Sequence, residues 1–235
     1  MRTVFFDAGN TLLYLDLAWI ARRLGGDGWE ISEDALFYGQ SVAAFEATRL
    51  ALLKKYPTDA DRLMPYFRRV LELAGIPRDF AGDCARILAA EHMEHNLWRH
   101  APDFVPATLG ELKNRGYMLG VISNSDGRLK HLLDAADLTD FFTCIVDSGV
   151  VGAEKPGTEI FDCALAAAET EPGKCVYVGD IYAVDMVGAH AAGLKGVLID
   201  PLDLHAAFDC VRIRKLSQLL NLLPPKDRPP VKIAP

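Results

Sequence analysis

The chain is 235 residues long, half of them hydrophobic, with a net charge of −7, enough for one large domain or one domain carrying a substantial insertion. The acidic balance and the lack of any basic block argue against binding nucleic acid through its phosphates, which needs a concentrated Lys/Arg surface. No apolar run approaches the roughly 20 residues of a membrane-spanning helix.

In chain order, the first element is the run Val4 to Phe6, strand-like and ending on Asp7. It starts so early that no signal peptide fits before it, and a cytoplasmic location is expected. Five scattered cysteines without CxxC spacing fit the same expectation, as buried thiols in a reducing compartment. From about Leu15 to Arg99 the pattern is helical, over Leu17 to Leu24, Asp34 to Lys55, Asp59 to Ala74 and Asp79 to Trp98, with no strand run. Strand-like runs return at Leu119 to Ile122, Cys144 to Val146, Val176 to Val178 and Val197 to Ile199. Between and around them lie helical patterns at Pro106 to Arg115, Arg128 to Ala135, Glu159 to Ala168 and Asp185 to Ala192. Strands apolar on both faces and alternating with helices imply an α/β fold, a doubly wound parallel sheet with right-handed crossovers. An all-helical subdomain is inserted in it. The expected boundaries are 1–14 and 101–223 for the α/β core, 15–100 for the helical insertion, and 224–235 for a Pro-rich tail.

Ligands of open α/β sheets bind at the C-terminal ends of the strands. Here the first strand ends at Asp7, the second at Ser123 and Asn124, and the third is followed by a loop carrying Lys155. The fourth ends at Asp180, with Asp185 just beyond. Any one of these has a structural explanation, since strand-terminal Asp and Ser often cap the next helix. Their joint placement on one rim points to chemistry.

The segments "DAGNTL", "GVISNSD", "EKP" followed by "IF", and "GDIYAVDMVGAHAAGL" resemble, in order and spacing, the four motifs of the haloacid dehalogenase-like hydrolase superfamily. The helical insertion is similar to that superfamily's first class of cap. The resemblance implies an Asp7 nucleophile that forms an aspartyl-phosphate, with Lys155 holding the developing charge and Ser123 donating to a phosphoryl oxygen. Backbone amides near Asn10 and Asn124 would bind the phosphoryl group. Mg2+ would be held by Asp7, Asp180, Asp185 and the carbonyl of Gly9. The implied partner is a small phosphorylated molecule; no nucleic acid and no membrane are expected, and oligomeric state is not readable.

One position departs from the pattern. Phosphatases of this superfamily usually read DxD in the first motif, the second Asp acting as general acid and base, and here that position is Gly9. Glycine moves no proton, and losing such a group typically costs roughly 10²- to 10⁴-fold in rate. The leading reading is a Mg2+-dependent phosphatase that is slow or restricted to good leaving groups. A phosphonatase using a cap lysine such as Lys54 or Lys55, a dehalogenase-type hydrolase, and a non-catalytic scaffold remain as alternatives. His92 and His95 lack further ligands for zinc, and Trp19, Trp29, Phe37, Phe45, Phe67 and Trp98 read as helix packing.

Overall fold

The computed structural model describes residues 3–53 and 58–225. In chain order its elements begin with β1 (Thr3–Phe6), β2 (Tyr14–Leu15), α1 (Leu17–Gly25), α2 (Glu33–Leu52), α3 (Asp59–Leu73), α4 (Arg78–His95) and β3 (Trp98–His100). There follow α5 (Phe104–Asn114), β4 (Met118–Ser123), α6 (Leu129–Ala135), β5 (Cys144–Asp147), α7 (Ser148–Val151), α8 (Glu159–Ala167) and β6 (Cys175–Gly179). The last are α9 (Val187–Ala191), β7 (Lys195–Ile199), β8 (Val211–Ile213) and α10 (Leu219–Leu222). The chain divides into two compact units, Met1–Tyr14 with Ala101–Pro235, and Leu15–His100.

The first unit is built on a six-stranded sheet in the order β5-β4-β1-β6-β7-β8, every pair parallel. Val4, Phe5 and Phe6 are wholly buried because β1 is central and apolar on both faces. Chain direction across the sheet reverses around β1, with β4 on one side and β6 on the other, so the crevice above their C-terminal ends is the topological switch point. One face packs Phe5, Ile122 and Tyr177 against Phe161 and Met186. Gly120 makes room for that layer, since a methyl there would lie 2.7 Å from the Phe5 ring and 2.9 Å from Cys144 Sγ.

The second unit has its own core, in which Leu15, Ile20, Leu36, Phe67, Leu71 and Leu88 are fully or almost fully buried. Its helices start where capping chemistry starts them. Asp16 accepts from Trp19 N–H at α1, Ser32 from Ala35 N–H at α2, and Thr58 forms a reciprocal capping box with Asp61 at α3. Arg99 bonds Asp16 at 3.1 Å and Glu91 at 2.8 Å, tying the first turn of α1 to the end of α4.

Four expectations are corrected. The helix drawn through Trp98 stops at His95: Asn96 takes φ +54 and Trp98 to His100 pair as β3 with β2, so the 15–100 segment does contain strand. The helix drawn from Asp185 begins in a π-helical turn, Tyr182–Met186, that passes into α9. The sixth strand, β8, is short and polar enough to have escaped the apolar pattern. Cys163 is exposed rather than buried, and all five cysteines are free. Lys54 and Lys55, and the tail beyond residue 225, lie outside the described residues. Among the described residues no helix is long and apolar enough to cross a membrane.

Candidate active site

Asp7 is the first residue past β1, and its N–H still bonds Val178 O of β6 at 2.8 Å, so the strand geometry carries through to the carboxylate. The chain then curls tightly: Leu12 and Leu13 N–H both donate to Ala8 O, at 2.9 and 2.8 Å, and Asn10 N–H donates to Leu13 O at 2.8 Å. Asn10 takes φ +51 in this curl, a conformation asparagine tolerates better than most residues. Its backbone N–H is thus engaged within the turn, and its side chain donates to Asp180 Oδ2 at 3.0 Å. That side chain holds an acidic residue of the site in place. Gly9 lies in the same curl, bridged to Leu13.

Lys155 is the hub. Its ammonium donates to Asp7 Oδ1 at 2.5 Å, Asp185 Oδ1 at 2.7 Å and the Tyr177 hydroxyl at 2.8 Å, which engages all three N–H groups. Asp185 is equally committed: its Oδ2 accepts from the backbone N–H groups of Asp180, at 3.1 Å, and Ile181, at 2.9 Å. The π turn makes this possible by returning the Asp185 side chain to the start of its own loop. Asp7, Asp180 and Asp185 are buried, with one oxygen of each lying within 4.8 Å of the other two.

Asn124 and Ser123 stand at the end of β4. Asn124 forms a reciprocal amide pair with Lys155, accepting its N–H at 2.8 Å and donating to its carbonyl at 3.0 Å. The side chain is therefore a clamp on the lysine's backbone. Ser123 is buried, and its hydroxyl makes only a long 3.5 Å contact to Asn124 O, a geometry at the limit of a hydrogen bond. Two residues at the junction of β5 and α7 brace this loop. Asp147 accepts from the N–H groups of Gly127 and Leu129, and Ser148 both accepts from Ser125 N–H and donates to Ser125 O.

The sequence profile of the haloacid dehalogenase-like hydrolases matches residues 74–199. The chain belongs to this family. Among its relatives, the "Haloacid dehalogenase-like hydrolase domain-containing protein 3" of Bos taurus is 36% identical over 124 residues, 52% of this chain and 49% of that protein, so the chain matches about half the length of that relative. A "Glyceraldehyde 3-phosphate phosphatase" of Pyrococcus furiosus is 29% identical over 95% of this chain and 93% of its own. A "Phosphoserine phosphatase" of Thermus thermophilus is 28% identical over 85% and 89%. In fold, the haloacid dehalogenase-like hydrolase core with its helical unit is similar to the HAD-hydrolase YfnB from Bacillus subtilis bound to magnesium, with a TM-score of 0.65 at 20% identity, covering 94% of this chain and 98% of that one.

The charges of this haloacid dehalogenase-like hydrolase do not balance internally. Three buried carboxylates face one lysine. Burial pushes the Asp7 carboxyl up from 3.8 to about 6, opposed by Lys155 and reinforced by Asp185. Asp180 is pushed well above the carboxylate range by burial and by the neighbouring Asp185 and Asp7. Burial works against the charge on Lys155, but Asp185 and Asp7 outweigh it and raise the ammonium above its ordinary value. A hard divalent cation fits this donor set, since carboxylate oxygens are its preferred ligands and its two charges offset the excess. Asp7 and Asp180 have oxygens to offer it. Asp185 also has an oxygen within the same cluster, with both of its oxygens already accepting hydrogen bonds.

Sequence reasoning missed Tyr177, Asp147 and Ser148. Tyr177 looked like one more apolar residue of a buried strand, and its only local signal is a hydroxyl three residues before Asp180.

Proposed function

We propose that this chain is a Mg2+-dependent phosphatase of small phosphorylated molecules, working through an aspartyl-phosphate on Asp7 in a reducing cytoplasm. The observation that carries this reading is the Asp7 carboxylate at the end of β1, 2.5 Å from the Lys155 ammonium and within a buried triad with Asp180 and Asp185. Mg2+, when bound by Asp7, Asp180 and the Gly9 carbonyl, would lower the repulsion between a carboxylate nucleophile and a phosphate dianion. Asp7 Oδ would attack phosphorus in line with the leaving oxygen, and Lys155 with Ser123 would offset charge on the phosphoryl oxygens. Hydrolysis of the acyl phosphate would then regenerate Asp7. Because Gly9 transfers no proton, the preferred substrates are those whose leaving group departs without one, such as acyl and aryl phosphates. The relatives named for phosphatase activity support the reaction class. The acidic pair at 180 and 185 favours a metal-assisted route over dehalogenation.

The test is turnover of acetyl phosphate and p-nitrophenyl phosphate with and without Mg2+. Wild type should turn over both only with the metal, and Asp7→Asn should lose at least 10³-fold, on the order of the loss of an essential nucleophile. Equal rates for the two proteins would overturn the enzyme reading and leave the non-catalytic scaffold.

A further inference from the structure

Tyr177 sits in the middle of β6, in register with Phe5 of β1 and Gly196 of β7, with no exposed surface. A tyrosine sealed inside a sheet is costly unless its hydroxyl is bonded. Here the oxygen accepts a Lys155 N–H at 2.8 Å, and its proton has two acceptors in reach, Ile122 O at 3.0 Å and Asp185 Oδ1 at 3.1 Å. The Phe161 ring braces the phenol edge-on, with centroids 5.2 Å apart. The ammonium lies 5.4 Å from the ring centroid but 2.8 Å from the oxygen, so it sits beyond the hydroxyl rather than over the ring face. The contact is a hydrogen bond to the phenol.

We propose that Tyr177 is a positioning residue for the reaction: its hydroxyl takes the inward N–H of Lys155 and fixes the ammonium so that its other two N–H groups face Asp7 and Asp185. This inference rests on the phosphatase reading above. A lysine ends a flexible stem, and ordering that stem costs conformational entropy. The phenol has one fixed location because a strand carries it and Ile122 O and Phe161 hold it. Of the three lysine contacts, the one to Asp7 is altered when Asp7 Oδ bonds phosphorus, while those to Tyr177 and Asp185 persist and keep Nζ in place. Without the hydroxyl, one N–H loses its acceptor where little water reaches it, and the ammonium must shift to find another. Charge stabilisation depends on groups already aimed when charge develops, so the loss falls on turnover rather than on ground-state binding.

The experiment compares wild type, Asp7→Asn, Tyr177→Phe and Tyr177→His on p-nitrophenyl phosphate with saturating Mg2+, alongside melting temperature and inhibition by orthovanadate and by inorganic phosphate. We expect Tyr177→Phe to lower kcat about 10- to 100-fold with KM changed less than about threefold, the size seen when a partner behind a key ligand is removed. Inhibition by vanadate, which resembles the transition state, should weaken about tenfold, and inhibition by phosphate should not change. Tyr177→His, whose imidazole can still accept a hydrogen bond, should recover part of kcat. It also carries the comparison if the Phe variant does not fold. A kcat within twofold of wild type, a loss tracking melting temperature alone, or equal loss in the Phe and His variants would overturn the assignment. Wild-type turnover that Asp7→Asn abolishes separates that outcome from failure of the phosphatase reading, for which wild type itself would be inactive.

Discussion

On the proposed phosphatase reading, the absence of a side chain at Gly9 sets the range of leaving groups. Its curl is held by bonds among Ala8, Asn10, Leu12 and Leu13 that use backbone atoms only, so the turn does not require the residue at position 9 to contribute a side chain. Gly9→Asp should therefore supply a proton-transfer carboxylate without remaking the turn. The expected outcome is a gain of up to about 10²-fold on alkyl phosphates and little on acetyl phosphate, read as a flatter dependence of kcat/KM on leaving-group pKa across a series of esters. An unchanged slope would mean that proton transfer does not limit the wild type. At this scale Asp7, Lys155, Asp180 and Asp185 stand out in the sequence, because each is a charged residue in or beside an apolar stretch. What each does was less legible. Asn124 grips the backbone of a residue 31 positions away, and Tyr177 reaches a lysine 22 positions away. No local periodicity encodes such pairs, since only the closing of the sheet brings them together.

Between residue and fold, the end of β6 shows how an element is shaped to present a group. Gly179 is the last residue of the strand, and the π turn Tyr182–Met186 folds the chain back over it, with Asp185 N–H on Ile181 O at 2.7 Å. A Cβ at residue 179 would collide with the Asp185 carboxylate. Gly179→Ala should consequently push Asp185 off Lys155 and off the Asp180 and Ile181 amides. We expect at least a tenfold loss of Mg2+-dependent turnover and about 1 to 3 kcal/mol of lost stability, the usual cost of overpacking, measured by urea unfolding. Retention of full activity would mean that Asp185 has slack the hydrogen bonds do not suggest. The five main strands of the sheet were legible because buried parallel strands read as continuous apolar runs. The π turn was not, since its spacing resembles the start of an ordinary helix; β8 was hidden by Arg212 in a three-residue strand, and β3 by lying in sequence continuous with a helical pattern.

For the molecule as a whole, a divalent ion bound as proposed at the buried acidic triad would make folding stability depend on it. With no dication bound, burial first and the neighbouring carboxylates second raise the Asp7 and Asp180 carboxyls, against the pull of a single lysine. A ligand that binds the native chain and not the unfolded one adds RT ln(1 + [L]/Kd), about 2.7 kcal/mol at a hundred times Kd. For a chain of this size each kcal/mol is worth about 2 to 4 °C, so saturating Mg2+ should raise the melting temperature by about 5 to 11 °C. Asp180→Asn separates the two halves of the argument. It removes one buried ionisable carboxyl, whose charged form burial disfavours, while retaining an oxygen that can accept from Asn10 Nδ2, so its melting temperature without metal should exceed that of wild type, and its Mg2+ response should shrink to a small fraction. Acidic repulsion without metal binding predicts the first change and not the second, and metal binding at some other place predicts an undiminished Mg2+ response. A variant that melts no higher than wild type in EDTA would mean that Asp180 carries no net charge cost in the metal-free chain, and would overturn the repulsion half of the argument.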